Sequence, residues 1–248
     1  MSLYQPRDYR VSAGQRGLTA FTVRVKETDL WLQAQRELGQ EALASVLNHR
    51  RALEAYARQR PEYLSALQPL SADDLAPPLV RAMLAAGRAA GTGPMAAVAG
   101  AIAQAVAADL LPLSPALAVE NGGDVYLALD RGATVGIWAG SSPLSGRLGL
   151  VVAAAAMPMA VCTSSGTVGH SLSLGRADAA TIVAADAALA DAAATALGNR
   201  VQGRADLGPA LDWAQGLPGV RGALVILGDQ MAAWGEIELT SLPGDKRP

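Results

Sequence analysis

Nearly one residue in three of this chain is alanine or glycine, 52 and 26 of 248. Aromatic residues make up only 4%. A core of such composition cannot be filled by large rings, so Ala, Val and Leu must fill it, with elements packed through close backbone contacts. Hydrophobic residues at 51% exclude a disordered chain. The net charge of −2 argues against a nucleic-acid partner bound through phosphate neutralisation. A lone Cys162 excludes an internal disulfide framework and any Cys-cluster zinc site, and two histidines, His49 and His170, leave little for a zinc enzyme.

Periodicity orders the elements. Leu18–Lys26 alternates as a strand, and Asp29–Gln33 reads as its short return. Arg36–Arg60 is helical, with Leu38, Ala42, Ser45, Val46 and His49 on one face and Arg50, Arg51, Arg58 and Arg60 over the rest. His49 reads as a surface or hydrogen-bonded histidine. Pro78 can open the helix Leu79–Ala90, and Gly91-Thr92-Gly93-Pro94 breaks the chain before a small-residue helix, Met95–Leu111. Strands follow at Ala116–Glu120, at Val125–Leu129 with Thr134–Trp138 as a hairpin, and at Leu148–Ala155, Met159–Cys162, Val168–Leu174 and Thr181–Ala184. Asp186–Leu197 is a helix capped near Gly198-Asn199, Asp206–Gln215 is another, and Ala223–Leu227 and Ala233–Leu239 end the pattern as strands. The expectation is one α+β domain over 1–248, with helices mainly in the first half and antiparallel-rich sheet in the second. Met1–Leu3 reads as a cloning remnant. The most apolar stretches, Met95–Ala108 and Leu148–Cys162, fall short of the roughly 20 residues that span a bilayer. No export signal is visible, so a cytoplasmic protein with no membrane partner is expected.

Four segments carry chemistry. Cys162–Ser173 packs six hydroxyls, Gly166, Gly169 and His170 into twelve residues, donors with little bulk that can cradle a phosphate. A Ser/Thr-rich hairpin turn would read the same. Glu120-Asn121-Gly122-Gly123-Asp124 is a turn between strands, flanked by two carboxylates and an amide. Asp191 and Thr195, four apart, share a helix face and could hold a hard, oxygen-preferring cation. A plain helix with Asp186 as N-cap and Asp191 in solvent fits the spacing slightly better. Gly91–Gly100 runs a Gly-rich loop into a helix N-terminus, which attracts anions or simply packs closely.

Taken in order, Gly-Thr-Gly-Pro-Met-Ala-Ala-Val-Ala-Gly, Glu-Asn-Gly-Gly-Asp, Cys-Thr-Ser-Ser-Gly-Thr-Val-Gly-His-Ser-Leu-Ser and Asp-x-x-x-Thr resemble an uncharacterised branch related to the ApbE family of FAD:protein FMN transferases. The resemblance to the branch covers about Leu18 to Leu239, and that to the transferases only the motif regions. It implies an ApbE-like fold, Mg²⁺, FAD as ligand or substrate, and an acceptor protein whose Thr or Ser receives FMN. It implies Asp191, Thr195 and a backbone carbonyl of Met95–Val98, at Ala96 or Ala97, as metal ligands. Asn121, Gly122, Gly123, Asp124, Thr163, Ser164, Ser165, Gly166 and Thr167 would bind the nucleotide, and His170 would act as catalytic base or phosphate contact. The chain departs from the transferases in two places. Ala99-Gly100 and Gln104 stand where a Lys-Gly pair is usual, and Ser-Leu-Ser follows His170. A non-catalytic nucleotide or metabolite binder, or a Mg²⁺-assisted enzyme on another phosphorylated or acidic metabolite, fits the same residues. Extensive small-residue faces are also compatible with a homo-oligomer.

Overall fold

The computed structural model describes residues 17–165 and 174–242. Its elements run β1 (Thr19–Val25), β2 (Thr28–Ala34), α1 (Gly39–Gln59), α2 (Glu62–Ser65), α3 (Pro78–Ala90), α4 (Val98–Leu110), β3 (Leu117–Asn121), β4 (Asp124–Ala128), β5 (Ala133–Ile137), β6 (Leu148–Val152), β7 (Met159–Ser164), β8 (Ala179–Ala184), α5 (Ala187–Asn199), α6 (Leu207–Gln215), β9 (Val220–Leu227), β10 (Gln230–Gly235) and β11 (Glu238–Ser241). This is the expected α+β class, and every strand pair is antiparallel.

Eight strands form one sheet in the order β1-β2-β3-β4-β7-β8-β9-β10, and β11-β6-β5 form a second. The period of two divides the large sheet into faces. Val119, Tyr126, Cys162 and Ile182 join the helices in one core cluster. Leu127, Val161, Val183 and Leu224 join the small sheet in another. The molecule is thus layered helices, large sheet, small sheet.

Small residues decide how the helical layer packs. α4 crosses α5 at Gly100, where a Cβ would stand 2.2 Å from the Ala187 carbonyl and 2.9 Å from Asp191 Cβ. Only glycine fits. α3 ends on Gly91 at φ +75°, a left-handed cap, and a 3₁₀ turn at Pro94–Ala97 leads into α4. The two helices meet at 106°. Among the described residues no single helix is long and apolar enough to cross a membrane.

Several local expectations are corrected. Strands 125–129 and 134–138 do not form a hairpin: β4 pairs with β3 and β7, while β5 pairs with β6 in the other sheet. Local alternation says that a segment is a strand, not which strand lies beside it. The strand expected at Ala233–Leu239 is two, broken at Gly235 (φ +78°), whose Cβ would strike the Arg221 carbonyl at 2.3 Å. Its halves serve different sheets. The Leu148 strand ends at Val152, where a 3₁₀ turn takes over at Ala154–Ala156. Gly198 is buried within α5 rather than capping it. Most of the strand expected at Val168–Leu174 lies outside the described residues.

Candidate functional site

The turn that ends β3 fixes the first part of the site. Asn121 pairs with Asp124, leaving Gly122 and Gly123 as a two-residue turn at φ +71° and +113°. Positive φ at both centres is the geometry that glycine supplies without strain, and it fits the twist of the flanking strands. The Gly123 N–H donates to Glu120 Oε1 at 3.1 Å. Register then carries Asp124 beside Cys162 on β7, and β7 continues to Thr163, Ser164 and Ser165. The Asn-Gly-Gly-Asp and Thr-Ser-Ser segments therefore share one end of the large sheet.

The helical layer brings in the rest. The Asn121 side-chain amide donates to the Ala99 carbonyl at 3.0 Å, tying the end of β3 to the first turn of α4. On the other side of that turn, the Gly100 N–H donates to Asp191 Oδ2 at 2.9 Å. α4 has no side-chain cap of its own. Asp191, reaching across from α5, supplies one, and the positive end of the α4 dipole faces its carboxylate. α5 is capped in turn by Asp186, which accepts from the Leu189 N–H at 2.8 Å, and by Gln104 of α4, whose Oε1 accepts from the Ala187 N–H at 2.7 Å. Gln104, a departure from the transferase pattern, has a definite place: it latches α4 to α5 one turn from Asp191.

Asp191 is therefore not the solvated helix residue that its spacing allowed. It is 9% exposed, and Asp124 7%. Burial pushes the Asp124 carboxyl well above the ordinary carboxylate range, and the charge of Asp191 adds to that push. A hydrogen bond with Cys162 and the Thr163 backbone act in the opposite sense. Burial raises Asp191 to about 7 against the opposing N–H groups of Gly100 and Ala99. The Cys162 thiol, buried and 3.6 Å from the Ala187 carbonyl, is pushed up by burial and by the Asp124 and Asp191 charges. It is held as a neutral thiol, in keeping with a small buried strand residue.

One atom of this cluster is unaccounted for. Asp124 Oδ1 is buried and finds no hydrogen-bond partner among the described residues. Two buried carboxyls in mutual repulsion, one with an orphaned oxygen, suit an oxygen-preferring cation. The 3₁₀ turn that contains Ala96 packs on α5, so the segments nominated as ligands (Ala96, Asp191 and Thr195) lie together. Thr195 is half-buried one turn beyond Asp191. Across the β7–β8 pair Thr163 Oγ1 lies 2.9 Å from Thr181 Oγ1. Gly166, Thr167 and His170 lie outside the described residues.

Beside Asn121 and Ala99 opens a groove of about 740 Å³, with Met95, Val98 and Ile102 on one wall and the Arg50–Arg58 stretch of α1 on the other. Sequence reasoning passed over this wall, since arginines on a helix read as its solvated side. The visible signal was the spacing of Arg50, Leu53, Ala57 and Arg58, which places two cations and two apolar groups on one stripe. His49 is hydrogen-bonded, its Nε2 2.9 Å from Asp109 Oδ2, which also accepts from Ser45 Oγ at 2.6 Å.

Comparison with known proteins supplies the family. A family model described as AbpE bacteria matches residues 10–232. The chain belongs to this family. It is 43% identical over 215 residues to a UPF0280 protein of Methanocella arvoryzae, covering 86% of this chain and 87% of that one. A UPF0280 protein of Methanosarcina barkeri is 41% identical over 217 residues, covering 86% of this chain and 85% of the relative. Among solved structures, the apo flavinyl transferase ApbE of Pseudomonas stutzeri superposes with a TM-score of 0.53 at 15% identity, covering 95% of this chain and 96% of that one. At that identity the likeness establishes a shared fold. The chain is an ApbE-like protein of the UPF0280 branch.

Proposed function

We propose that this protein binds FAD with a divalent cation and transfers its FMN half to a hydroxyl of an acceptor protein, releasing AMP. The observation that carries the proposal is the buried pair Asp124 and Asp191, with the orphaned Asp124 Oδ1, behind Asn121 and Ala99, which line a groove large enough for a dinucleotide. The donor set is oxygen only, which fits Mg²⁺. Asp191, Thr195 and the Ala96 backbone would hold the cation, with Asp124 beside them. When bound, it supplies positive charge against the diphosphate oxygens, the chief requirement of phosphoryl transfer.

The chain's own residues do the rest. The Gly122-Gly123 turn lets backbone approach the nucleotide without side-chain bulk. Asn121 orients that turn against α4. Thr163, Ser164, Ser165, Gly166 and Thr167 offer hydroxyls and N–H groups to the phosphates. His170 accepts the proton of the acceptor hydroxyl as its oxygen attacks the phosphorus of the FMN half. The bond from that phosphorus to the bridging oxygen breaks, and AMP leaves with the electron pair.

The test is titration with FAD, with and without Mg²⁺, following flavin fluorescence and AMP together. Saturable Mg²⁺-dependent binding with AMP release on addition of acceptor is expected. Binding without AMP under every acceptor condition removes the transferase reading, and absence of binding removes the flavin.

A further inference from the structure

The groove ends in a knot of charge that the flavin reading leaves unused. Arg50 lines the wall with a side chain only 14% exposed. Its Nη1 donates to Thr28 Oγ1 at 2.7 Å, and its Nη2 donates to Glu27 Oε2 at 2.7 Å and to Glu54 Oε1 at 3.2 Å. Its Nε is buried without a partner among the described residues. Lys26 Nζ reaches Glu54 at 2.8 Å. The four charges cancel, but their carboxylates are not held alike. Glu54 is bound by both cations. Glu27 is held by its own backbone N–H and by Arg50, with a weaker pull from Lys26, and its side chain is 83% exposed. An ion pair with one partner in water is weakly held and screened by salt.

The backbone beneath Glu27 is also under tension. Lys26 and Glu27 form the two-residue turn between β1 and β2, and Lys26 stands at φ +53°, the one positive φ among the described non-glycine residues. This turn lies at the same end of the sheet as Gly122-Gly123, because β2 pairs with β3 through Leu30 and Asn121. Arg58, two turns along α1, adds a second guanidinium to the same groove.

We propose that Arg50 is the anion-recognising residue of the groove and that Glu27 is an internal stand-in for a phosphate oxyanion of the ligand. When Glu27 swings into water, Lys26, Arg50 and Glu54 remain with one net positive charge in a mainly apolar groove. The Nη2 N–H that held Glu27, on the same guanidinium edge as the unpartnered Nε, then faces the vacated position. A phosphate supplies more charge and more acceptor oxygens than the carboxylate it displaces, and the planar fork suits it. The identity of that phosphate, one of the FAD diphosphate, rests on the function proposed above; the anion site itself does not.

The experiment is calorimetric titration of the full chain with inorganic pyrophosphate in EDTA, where no cation site can contribute. Saturable binding is expected, tightened severalfold in Glu27→Gln and weakened about tenfold or more in Arg50→Gln and Arg50→Lys, the second of which keeps the charge but lacks the fork. Glu27→Gln changes an exposed side chain, so it decides the matter even if the Arg50 variants fold poorly. No pyrophosphate binding, equal affinity in Glu27→Gln, or equal affinity in a folded Arg50→Lys overturns the proposal. FAD binding unchanged in folded Arg50→Lys overturns it while leaving the flavin reading intact. Arg50-dependent pyrophosphate binding without FAD binding upholds the anion site and removes the flavin.

Discussion

The two faces of the large sheet are made from the same strands and do different work. On β4, Asp124 turns to the helices beside Cys162, while Leu127, three residues on, turns to the small sheet. The small-sheet face is filled by Ile137, Leu150, Met159 and Ile226, whose side chains occupy space and offer no donors. The helical face is filled largely by alanines, and there backbone groups come within reach of side chains: Gly100 to Asp191, Ala187 to Gln104, Ala99 to Asn121. The difference teaches that the alanine and glycine content is not generic filler. It thins the packing around α4 and α5 until two carboxyls can be buried beside helix ends.

The comparison can be broken by substitutions on either side. Gly100→Ala carries the largest expected effect. Its Cβ would sit against backbone that cannot move aside, so destabilisation of about 3 kcal/mol or more and loss of Mg²⁺ binding should appear together in denaturant melts and metal titrations. Leu150→Ala, on the other face and fully buried, should cost about 2–5 kcal/mol through the cavity it leaves. The affinity of its folded fraction for Mg²⁺ should not change, and a parallel fall in affinity would show that the faces are not separable. Gly123→Val should cost about 2 kcal/mol, since φ +113° strains a β-branched residue. The nearest atom to a Cβ there, the Thr163 carbonyl at 3.5 Å, is only in ordinary contact. Backbone strain rather than collision is therefore the cause, and Gly123→Ala should show most of the same loss of stability.

Much of the fold was legible because its signals are local. Alternation in Leu18–Lys26, Pro78 at a helix start, Asp186 as an N-cap and the Gly91 break all reappear within a few residues of their expected places. What failed depended on distant partners. Nothing in the 125–138 pattern tells that β4 and β5 belong to different sheets. Asp191 looked ambiguous because, with alanine on every side, a helix has no apolar stripe to distinguish its buried face. The nominated residues were found by motif order. The fold then brings the described ones together, through the Asn121 and Gly100 hydrogen bonds to α4 and the register that seats Asp124 beside Cys162. The Arg50 wall has no such motif, and its burial follows from the β1–β2 turn folding over α1.

The smallest predicted effect is also the most diagnostic. Asp191 titrates near 7 when folded, against 3.8 when free. In that interval the folded cation-free protein holds more protons than the unfolded chain, so Asp191 makes stability fall as pH rises from about 4 to about 7, and the raised Asp124 carboxyl adds to the fall. Asp191→Asn should remove that residue's share of the slope, leave the burial share of Asp124, and keep the fold, because the amide oxygen still accepts from the Gly100 N–H. The proposed cation site requires the ionised pair, so binding should strengthen as these carboxyls lose their protons.

The most direct measurement is the melting temperature with and without Mg²⁺ at pH 5 and pH 8, in the wild type and in Asp191→Asn. The account predicts that Mg²⁺ raises the melting temperature of the wild type at pH 8, has little effect at pH 5, and has none on the variant at either pH. A Mg²⁺ shift of equal size in Asp191→Asn, or no shift in the wild type at pH 8, would contradict it.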